Sequence, residues 1–406
     1  MNDLIKLVPN LRFPAFIQDG EWKEQKFGSL FAFLPNNTLS RADLKEGKGD
    51  VYNVHYGDVL IKLNSYTDIQ QDQLPAIKTV DDIEKYRKAC LQDGDIVIAD
   101  TAEDETVGKC TEIVNVHNTL VVSGLHTIPC RPQIKFAQAY LGYYMNSNAF
   151  HNKLLPIMQG VKVTSISKSA LQNIDLTFPE SLEEQQKIAE CLSSIDSYIS
   201  SINEQVEHLK AHKTSLLQKL FPQRGQTVPE YRFPEFEKDS VWEKREFKEI
   251  VKVNSGRDYK HLSSGNIPVY GTGGYMLSVD GKLSDKDAVG IGRKGTIDRP
   301  QYLKAPFWTV DTLFFLTNCD GYDIEFIYFL SQIIQWRKYG EQTGVPSLSK
   351  NSIEKLEVVV PTNIKEQKKI ARALFSLDER VKLLEKKMAV LESHKNGLMQ
   401  QLFPQI

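Results

Sequence analysis

The sequence predicts an α+β fold: two mixed α/β globular units separated by two long helices that form an antiparallel coiled coil, with an internal pseudo-twofold, circular symmetry. Three observations carry that prediction. The segment VPNLRFPAF at Val8–Phe16 returns as VPEYRFPEF at Val228–Phe236; a helix-start pattern at Glu184 returns at Glu366; and each pattern opens a stripe of apolar residues stepping by four and three.

The first repeat keeps a spacing of 220 residues, and Trp22 and Phe27 are answered at the same distance by Trp242 and Phe247. The second keeps a spacing of 182. Phe178, Pro179, Glu184, Gln185, Lys187, Ile188 and Ala189 correspond to Val360, Pro361, Glu366, Gln367, Lys369, Ile370 and Ala371, and Leu220-Phe221-Pro222 to Leu402-Phe403-Pro404. The interior of the second half is therefore 38 residues shorter while its edges stay in step. Shared edges read as scaffold, and divergent interiors read as specificity.

The first apolar seam runs through Ile188, Leu192, Ile195, Ile199, Ile202, Val206 and Leu209, and continues to Leu216 and Leu220. The second repeats it through Ile370, Leu374, Leu377, Val381, Leu384, Met388 and Leu391, and continues to Leu398 and Leu402. Lys213 and Lys395 interrupt both seams at one equivalent position, where a polar residue fixes register at some cost in stability. Glu183, Glu184 and Glu366 crowd the first turns, where negative charge complements the helix dipole, and Pro222 and Pro404 stop both helices. A first helix leading from one unit to the other, with a second returning antiparallel, brings the chain ends together. Four segments follow: globular units at 1–178 and 223–360, and helices at 179–222 and 361–406.

Bulk properties narrow the class. With 406 residues, 41% hydrophobic, the chain can bury two or three cores. It has no run of eighteen apolar residues to span a bilayer, and MNDLIKLVPN lacks the blocks of a signal peptide, so a cytoplasmic location is expected. The five cysteines are widely spaced with no Cys-x-x-Cys pair, and the eight histidines show no metal spacing, so buried thiols and no metal site are expected. A net charge of −2 argues against binding nucleic acid by bulk electrostatics, yet allows basic loops on one side.

Unit one reads as strands at VYNVHYGDVLIKL, GDIVIAD and EIVNVHNTLVVSGLHTIPC, with helical stretches near Thr79–Leu91 and Ala137–Leu155. Unit two reads as strands at VKVNSG, DAVGIGR and TLFFLTN, with a helix near Asp323–Tyr339. In unit two, IPVYGTGGY carries Tyr270 and Gly271, and GIGRKGTIDRP places Arg293, Lys294 and Arg299 on tight loops. Glycine lets backbone amides approach phosphate, and arginine reads guanine bidentately, although glycine-rich turns with arginine are often structural. Two segments share a plan: GVKVTSISK, with Lys162, Thr164 and Ser165, and GVPSLSK, with Ser347 and Lys350. Small hydroxyls with a lysine suit phosphate contact, and equally suit a polar turn. The acids of ADTAEDETVGK (Asp100, Glu103, Asp104, Glu105) fit a solvated or capped turn better than base reading.

The layout, the repeat, the two helix starts, the two Leu-Phe-Pro ends, IPVYGTGGY with GRKGTI, and GDIVIADTAEDETVGK together resemble the specificity subunit of type I restriction-modification systems. The resemblance covers nearly the whole chain. It implies that the globular units are target recognition domains, each reading half of a bipartite site in double-stranded DNA. It also implies that the coiled coil sets the unread spacer and docks two methylation subunits, with restriction subunits in the full complex and no membrane. A helix of about 34 residues is roughly 50 Å long, comparable with about 15 base pairs of duplex. Lys162, Thr164, Ser165, Tyr270, Gly271, Arg293, Lys294, Ser347 and Lys350 are the DNA-contact candidates; no catalytic residue and no cofactor are expected in this chain, with methyl donor and ATP on partner subunits.

Two other readings stand beside this one. A self-contained adenine methyltransferase would need an Asn or Asp followed by Pro-Pro and an aromatic, and a glycine-rich cofactor turn opening a helix; the sequence has neither. A scaffold whose coiled coil and heads bind only protein would show no steep dependence of DNA affinity on salt.

Overall fold

The computed structural model describes residues 7–160, 162–340 and 345–405. Two compact units emerge, Met1–Ser201 with Lys387–Ile406, and Ile202–Lys386, so each unit owns one globular part and half of each long helix.

The long helices span Leu182–Leu220 and Ile364–Leu402, 39 residues each, or about 58 Å at ~1.5 Å per residue. Side chains cap their first turns: Ser181 Oγ accepts from the Glu184 amide at 3.2 Å, and Asn363 Oδ1 from the Lys365 amide at 3.0 Å. Each seam residue named above is buried or half-buried.

In both units the helix halves run antiparallel. In the first, Asp196 meets Lys395 (2.6 and 2.8 Å) and Tyr198 meets Lys387. In the second, Lys213 meets Asp378 (2.7 Å) and Lys210 meets Glu385 (3.1 Å). The seam lysines thus have carboxylate partners at equivalent positions. Each ammonium also lies over an aromatic ring of its globular part: Lys395 is 5.3 Å from the Tyr143 centroid and Lys213 is 5.2 Å from that of Phe329. Tyr143 adds a hydrogen bond to Asp196 at 2.7 Å.

The globular parts share a frame. In unit one, strand Lys23–Lys26 pairs antiparallel with Asp175–Phe178, and a five-stranded sheet orders Phe31–Phe33, Thr127–Pro132, Ile96–Ala99, Cys110–Val114 and Tyr66–Asp68. Unit two repeats the closure with Glu243–Glu246 and Glu357–Val360, and its sheet orders Val251–Ser255, Leu313–Asn318, Ala288–Gly292 and Gln301–Leu303. Beyond that frame unit one adds a four-stranded sheet (Leu120–Ser123, Val51–Val54, Ala76–Ile77, Leu44–Lys45). Unit two adds a three-stranded one (Gly274–Val279, Ser264–Gly271, Trp308–Thr309).

Four expected elements are shorter or different. VYNVHYGDVLIKL is a strand only over Val51–Val54; His55 Nδ1 accepts from the Gly57 amide at 3.2 Å and starts a helix at Tyr56–Ile61. The helix expected near Ala137–Leu155 is two, Tyr140–Met145 and Asn148–Leu154, because Asn146 Nδ2 donates to the carbonyls of Gly142 (2.7 Å) and Cys110 (2.8 Å). That expected near Thr79–Leu91 is limited to Ile83–Lys88, where the Asp82 side chain caps its start. The stretch Asp323–Tyr339 is helical at Ile324–Ile333 and then tightens to a 3₁₀ turn at Trp336–Tyr339.

One polar node ties each globular part to a helix start. Arg12 donates to both oxygens of Glu184 (2.7 and 2.8 Å), Trp22 Nε1 donates to the same carboxylate (3.3 Å), and Arg12 Nη1 donates to the Gly20 carbonyl (2.5 Å). Arg232, Glu366 and Trp242 repeat it at 2.7, 2.8 and 3.1 Å. Next to it, Gln185 accepts from the Ala137 amide (2.9 Å) and donates to the Pro179 carbonyl (2.8 Å). Gln367 does the same with Asp323 and Pro361 (2.8 Å each).

The chain ends meet within unit one. The Leu11 amide donates to the Gln401 carbonyl (2.9 Å), and Phe403 packs edge-on to Trp22, centroids 6.4 Å apart. In unit two the equivalent contacts, Tyr231 to Lys219 (2.9 Å) and Phe221 to Trp242 (6.1 Å), are made by residues joined through continuous chain. Circular symmetry is therefore visible bond by bond.

Removing one partner of a buried ion pair strands the other, at about 3–5 kcal/mol. Glu184→Gln should therefore lower the urea midpoint of unit one, followed by hydrogen exchange over residues 7–178, and leave residues 231–340 unchanged. Arg12→Ala with Glu184→Gln should cost clearly less than the sum of the two singles; additive losses would mean that the pair is not coupled.

Candidate nucleic-acid interface

Arg293 follows directly on the buried central strand Ala288–Gly292 of unit two, so its backbone position is set by the sheet. Its amide donates to the Thr312 carbonyl (2.8 Å), and its carbonyl accepts from the Leu348 amide (2.9 Å). The guanidinium lies 5.7 Å from the Phe314 ring centroid. Lys294 pairs with Ser347 in an isolated bridge, and the Gly295 amide donates to the Pro346 carbonyl (3.0 Å). This tight return needs glycine at 292, where a Cβ would meet the Thr296 carbonyl oxygen at 2.0 Å.

Ser349 then caps the short helix Lys350–Glu354, accepting from the Ser352 amide at 3.0 Å. Two predicted segments, GRKGTI and GVPSLSK, are thereby brought side by side. They line an open cleft of about 330 Å³ with Ser255, Arg293, Lys294, Phe314 and Ser347–Lys350. Arg293, Lys294 and Lys350 are exposed and Ser347 is half-buried. Three cations and several hydroxyls on one concave face can hold phosphate oxygens and base edges.

Tyr270 and Gly271 lie elsewhere, on a hairpin of Ser264–Gly271 with Gly274–Val279. Tyr270 is half-buried against Tyr275 (centroids 6.5 Å), and Gly271 is buried. The exposed large apolar side chains of that hairpin are Tyr275 and Met276, 62% and 50% exposed, which sequence reading passed over. The signal was present: an aromatic and a methionine directly after Gly-Gly, at the tip of a ribbon of the kind that fits the major groove.

In unit one, Thr164 and Ser165 form a two-residue strand against Ala102 and Thr101, and both are half-buried. Gln159 and Ser165 exchange backbone hydrogen bonds (3.0 and 2.8 Å), with Gly160 at φ +116° in the turn between them. Lys162 is exposed in that turn. Ser167 caps the helix Lys168–Leu171, accepting from the Ala170 amide at 3.2 Å. Lys168, the counterpart of Lys350, lies 5.8 Å from the Phe33 ring centroid and was likewise not singled out. Val161 and Gly344 of the two quoted segments lie outside the described residues.

Asp104 behaves as the capped turn expected: it accepts from the Thr106 hydroxyl (2.5 Å) and amide (2.9 Å), and these bonds hold its carboxyl below the usual range. Among the described residues no group of three or more His, Cys, Asp or Glu could hold a metal ion, and no helix is long and apolar enough to cross a membrane.

The description of the family matching residues 19–211 and 239–393 is "Type I restriction modification DNA specificity domain", and the chain belongs to that family. It is 25% identical over 370 residues to a protein of Methanocaldococcus jannaschii named, provisionally, as the specificity subunit of type I restriction enzyme MjaX, covering 84% of this chain and 82% of that one. The specificity subunit of type I restriction enzyme MjaVIII from the same organism is 23% identical over 284 residues, 59% of this chain and 64% of that protein. The crystal structure of a type I restriction-modification S subunit from M. genitalium shares the fold, with a TM-score of 0.65, 16% identity, and coverage of 98% of this chain and 100% of that one.

Lys294→Ala and Lys350→Ala should each weaken binding of duplex DNA about equally for all sequences. Each should also lower the slope of log affinity against log salt by about 1. Titration of labelled duplex at a series of salt concentrations checks this; an unchanged slope would remove the lysine from the phosphate contacts.

Proposed function

We propose that this chain is the sequence-reading subunit of a type I restriction-modification complex and transfers no methyl group itself. Each unit reads one half of a bipartite target in double-stranded DNA, and the paired long helices set the unread spacer and dock two methylation subunits. Restriction subunits join the full complex. Methyl donor and ATP act on those partners, and the complex works in the cytoplasm.

One observation carries the reading. Both units present the same three-part face, made of a strand end, a return segment rich in hydroxyls, and a serine-capped helix that opens on lysine, but with unlike side chains on it. A common frame with different chemistry is what two unlike half-sites require. Base edges in the major groove present distinct donor and acceptor patterns, so changing side chains at fixed backbone positions changes the sequence read.

Mapping modified adenines in the source genome should reveal a split motif with two unlike halves. Arg293→Ala should relax one base pair of one half, with discrimination there falling by about 1–3 kcal/mol. Equal changes in both halves, or in neither, would remove Arg293 from base reading. Purified chain given methyl donor and target duplex should leave the DNA unmodified; transfer without a partner would refute the non-catalytic reading.

A further inference from the structure

The loops that follow the central strands of the two units look unrelated in sequence, yet strand register, its extension by one hydrogen bond, and a separate bond from the return segment place them at one position of the frame. First, strand Thr127–Pro132 pairs with Ile96–Ala99 so that Thr127 faces Ala99, and strand Leu313–Asn318 pairs with Ala288–Gly292 so that Leu313 faces Gly292. The next residues along the central strands are Asp100 and Arg293. Second, the Asp100 amide donates to the His126 carbonyl (3.2 Å) as the Arg293 amide does to the Thr312 carbonyl (2.8 Å). Third, the Asp100 carbonyl accepts from the Ile166 amide (2.9 Å) as the Arg293 carbonyl does from the Leu348 amide (2.9 Å). Ile166 and Leu348 occupy the same place in the two return segments, one residue before the capping serines. Asp100 and Arg293 are thus one position of the shared frame, bearing opposite charges.

The surroundings of Asp100 hold its carboxylate in place. The Thr101 hydroxyl donates to Oδ1 at 2.7 Å, and His126 Nδ1 lies 3.6 Å from the same oxygen. His126 is itself fixed in the left-handed region at φ +54°, with Tyr56 edge-on to its ring at 5.3 Å. The acid is 26% exposed, beside the Thr164 and Ser165 strand that carries the unit-one contact candidates.

Given that the chain reads a split DNA site as proposed above, we infer that this shared position is the base-reading position of both units. Asp100 accepts, through Oδ2, from the exocyclic amino group of a cytosine in one half-site, and Arg293 donates to a guanine in the other. A carboxylate is repelled by phosphates and makes a favourable direct contact with DNA only where a base offers a donor, which in the major groove means the amino group of cytosine or adenine; a single acceptor oxygen fits cytosine N4. Thr101 acts as a positioning residue, its hydroxyl fixing Oδ1.

The test is selection of duplexes from a randomised library by the full chain, purified in the complex it forms in its own cell. Wild type, Asp100→Asn and Asp100→Ala are compared, with thermal melting to check folding. Wild type should enrich a cytosine at one base pair of the first half-site. Asp100→Asn keeps the shape but adds a donor, so cytosine preference there should fall about tenfold and adenine should gain, because Asn pairs with adenine N6 and N7. The second half-site should not change. A folded Asp100→Asn that selects the wild-type first half unaltered, or that alters both halves, overturns the inference and leaves the split-site reading standing. A wild-type complex that enriches no split consensus overturns that reading, and the inference with it. Should Asp100→Ala fail to melt cooperatively, the Asn variant alone decides.

Discussion

Each unit depends on a carboxylate that is almost completely buried at the start of a long helix. Glu184 and Glu366 are 1% and 0% exposed, and each is held by the two nitrogens of an arginine fork and by an indole N–H. A lone buried carboxylate would be strongly unfavourable, so the node is stable only with the helix start, the Arg-Phe-Pro segment and the tryptophan all in place. The node thereby fixes where the helix leaves the globular part. It also explains why these residues recur at two different spacings: Arg and Trp lie on one side of the variable interior and Glu on the other, and the node closes across it.

The lysine and aspartate pairs extend that constraint along the helices. In a seam of apolar residues, a slip of one heptad costs little packing. A slip that parts Lys213 from Asp378, or Lys395 from Asp196, leaves two half-buried charges without partners. Each lysine also rests over an aromatic ring of the globular part, so helix register and head orientation share one set of contacts. Exposed ion pairs contribute little, and Lys23–Glu180 or Lys282–Asp285 carries no comparable role. What distinguishes the seam pairs is partial burial and the ring beneath them.

The scaffold was legible because its signals are local and repeated: a stripe of period three to four, a proline stop, and motifs returning at fixed spacings. The acids of the first turns were legible only in part. Read alone, Glu184 and Glu366 complement a helix dipole, and their arginine partners, more than a hundred residues away, emerge only from the fold. Short elements failed where one side chain competes for the backbone, as Asn146 does in breaking a helix and His55 in ending a strand. Of the contact candidates, GRKGTI and GVPSLSK converge on one cleft, whereas Tyr270 and Gly271 sit on a separate hairpin whose exposed large apolar residues are Tyr275 and Met276. Hairpin register, which composition does not reveal, decides which side chains of a glycine-rich ribbon face outward.

The correspondence of Asp100 with Arg293 was hidden for a related reason. The two halves differ in length inside the frame, so the offset between equivalent residues changes from strand to strand, and no single alignment spacing places an acidic loop on a basic one. Only strand pairing and the backbone hydrogen bonds to Ile166 and Leu348 do so. That hidden equivalence bears on how two unlike heads can share one scaffold. Backbone bonds from the neighbouring strand and the return segment hold the position in place whatever its side chain, so an acid and a base are tolerated alike. Electrostatic cost is kept low in a different way at each: Arg293 is exposed to water, whereas Asp100, 26% exposed, accepts from the Thr101 hydroxyl. A site of that kind can change its chemistry without disturbing either the Arg-Glu-Trp node or the sheet, which is the physical condition for specificity to diverge while the frame stays duplicated.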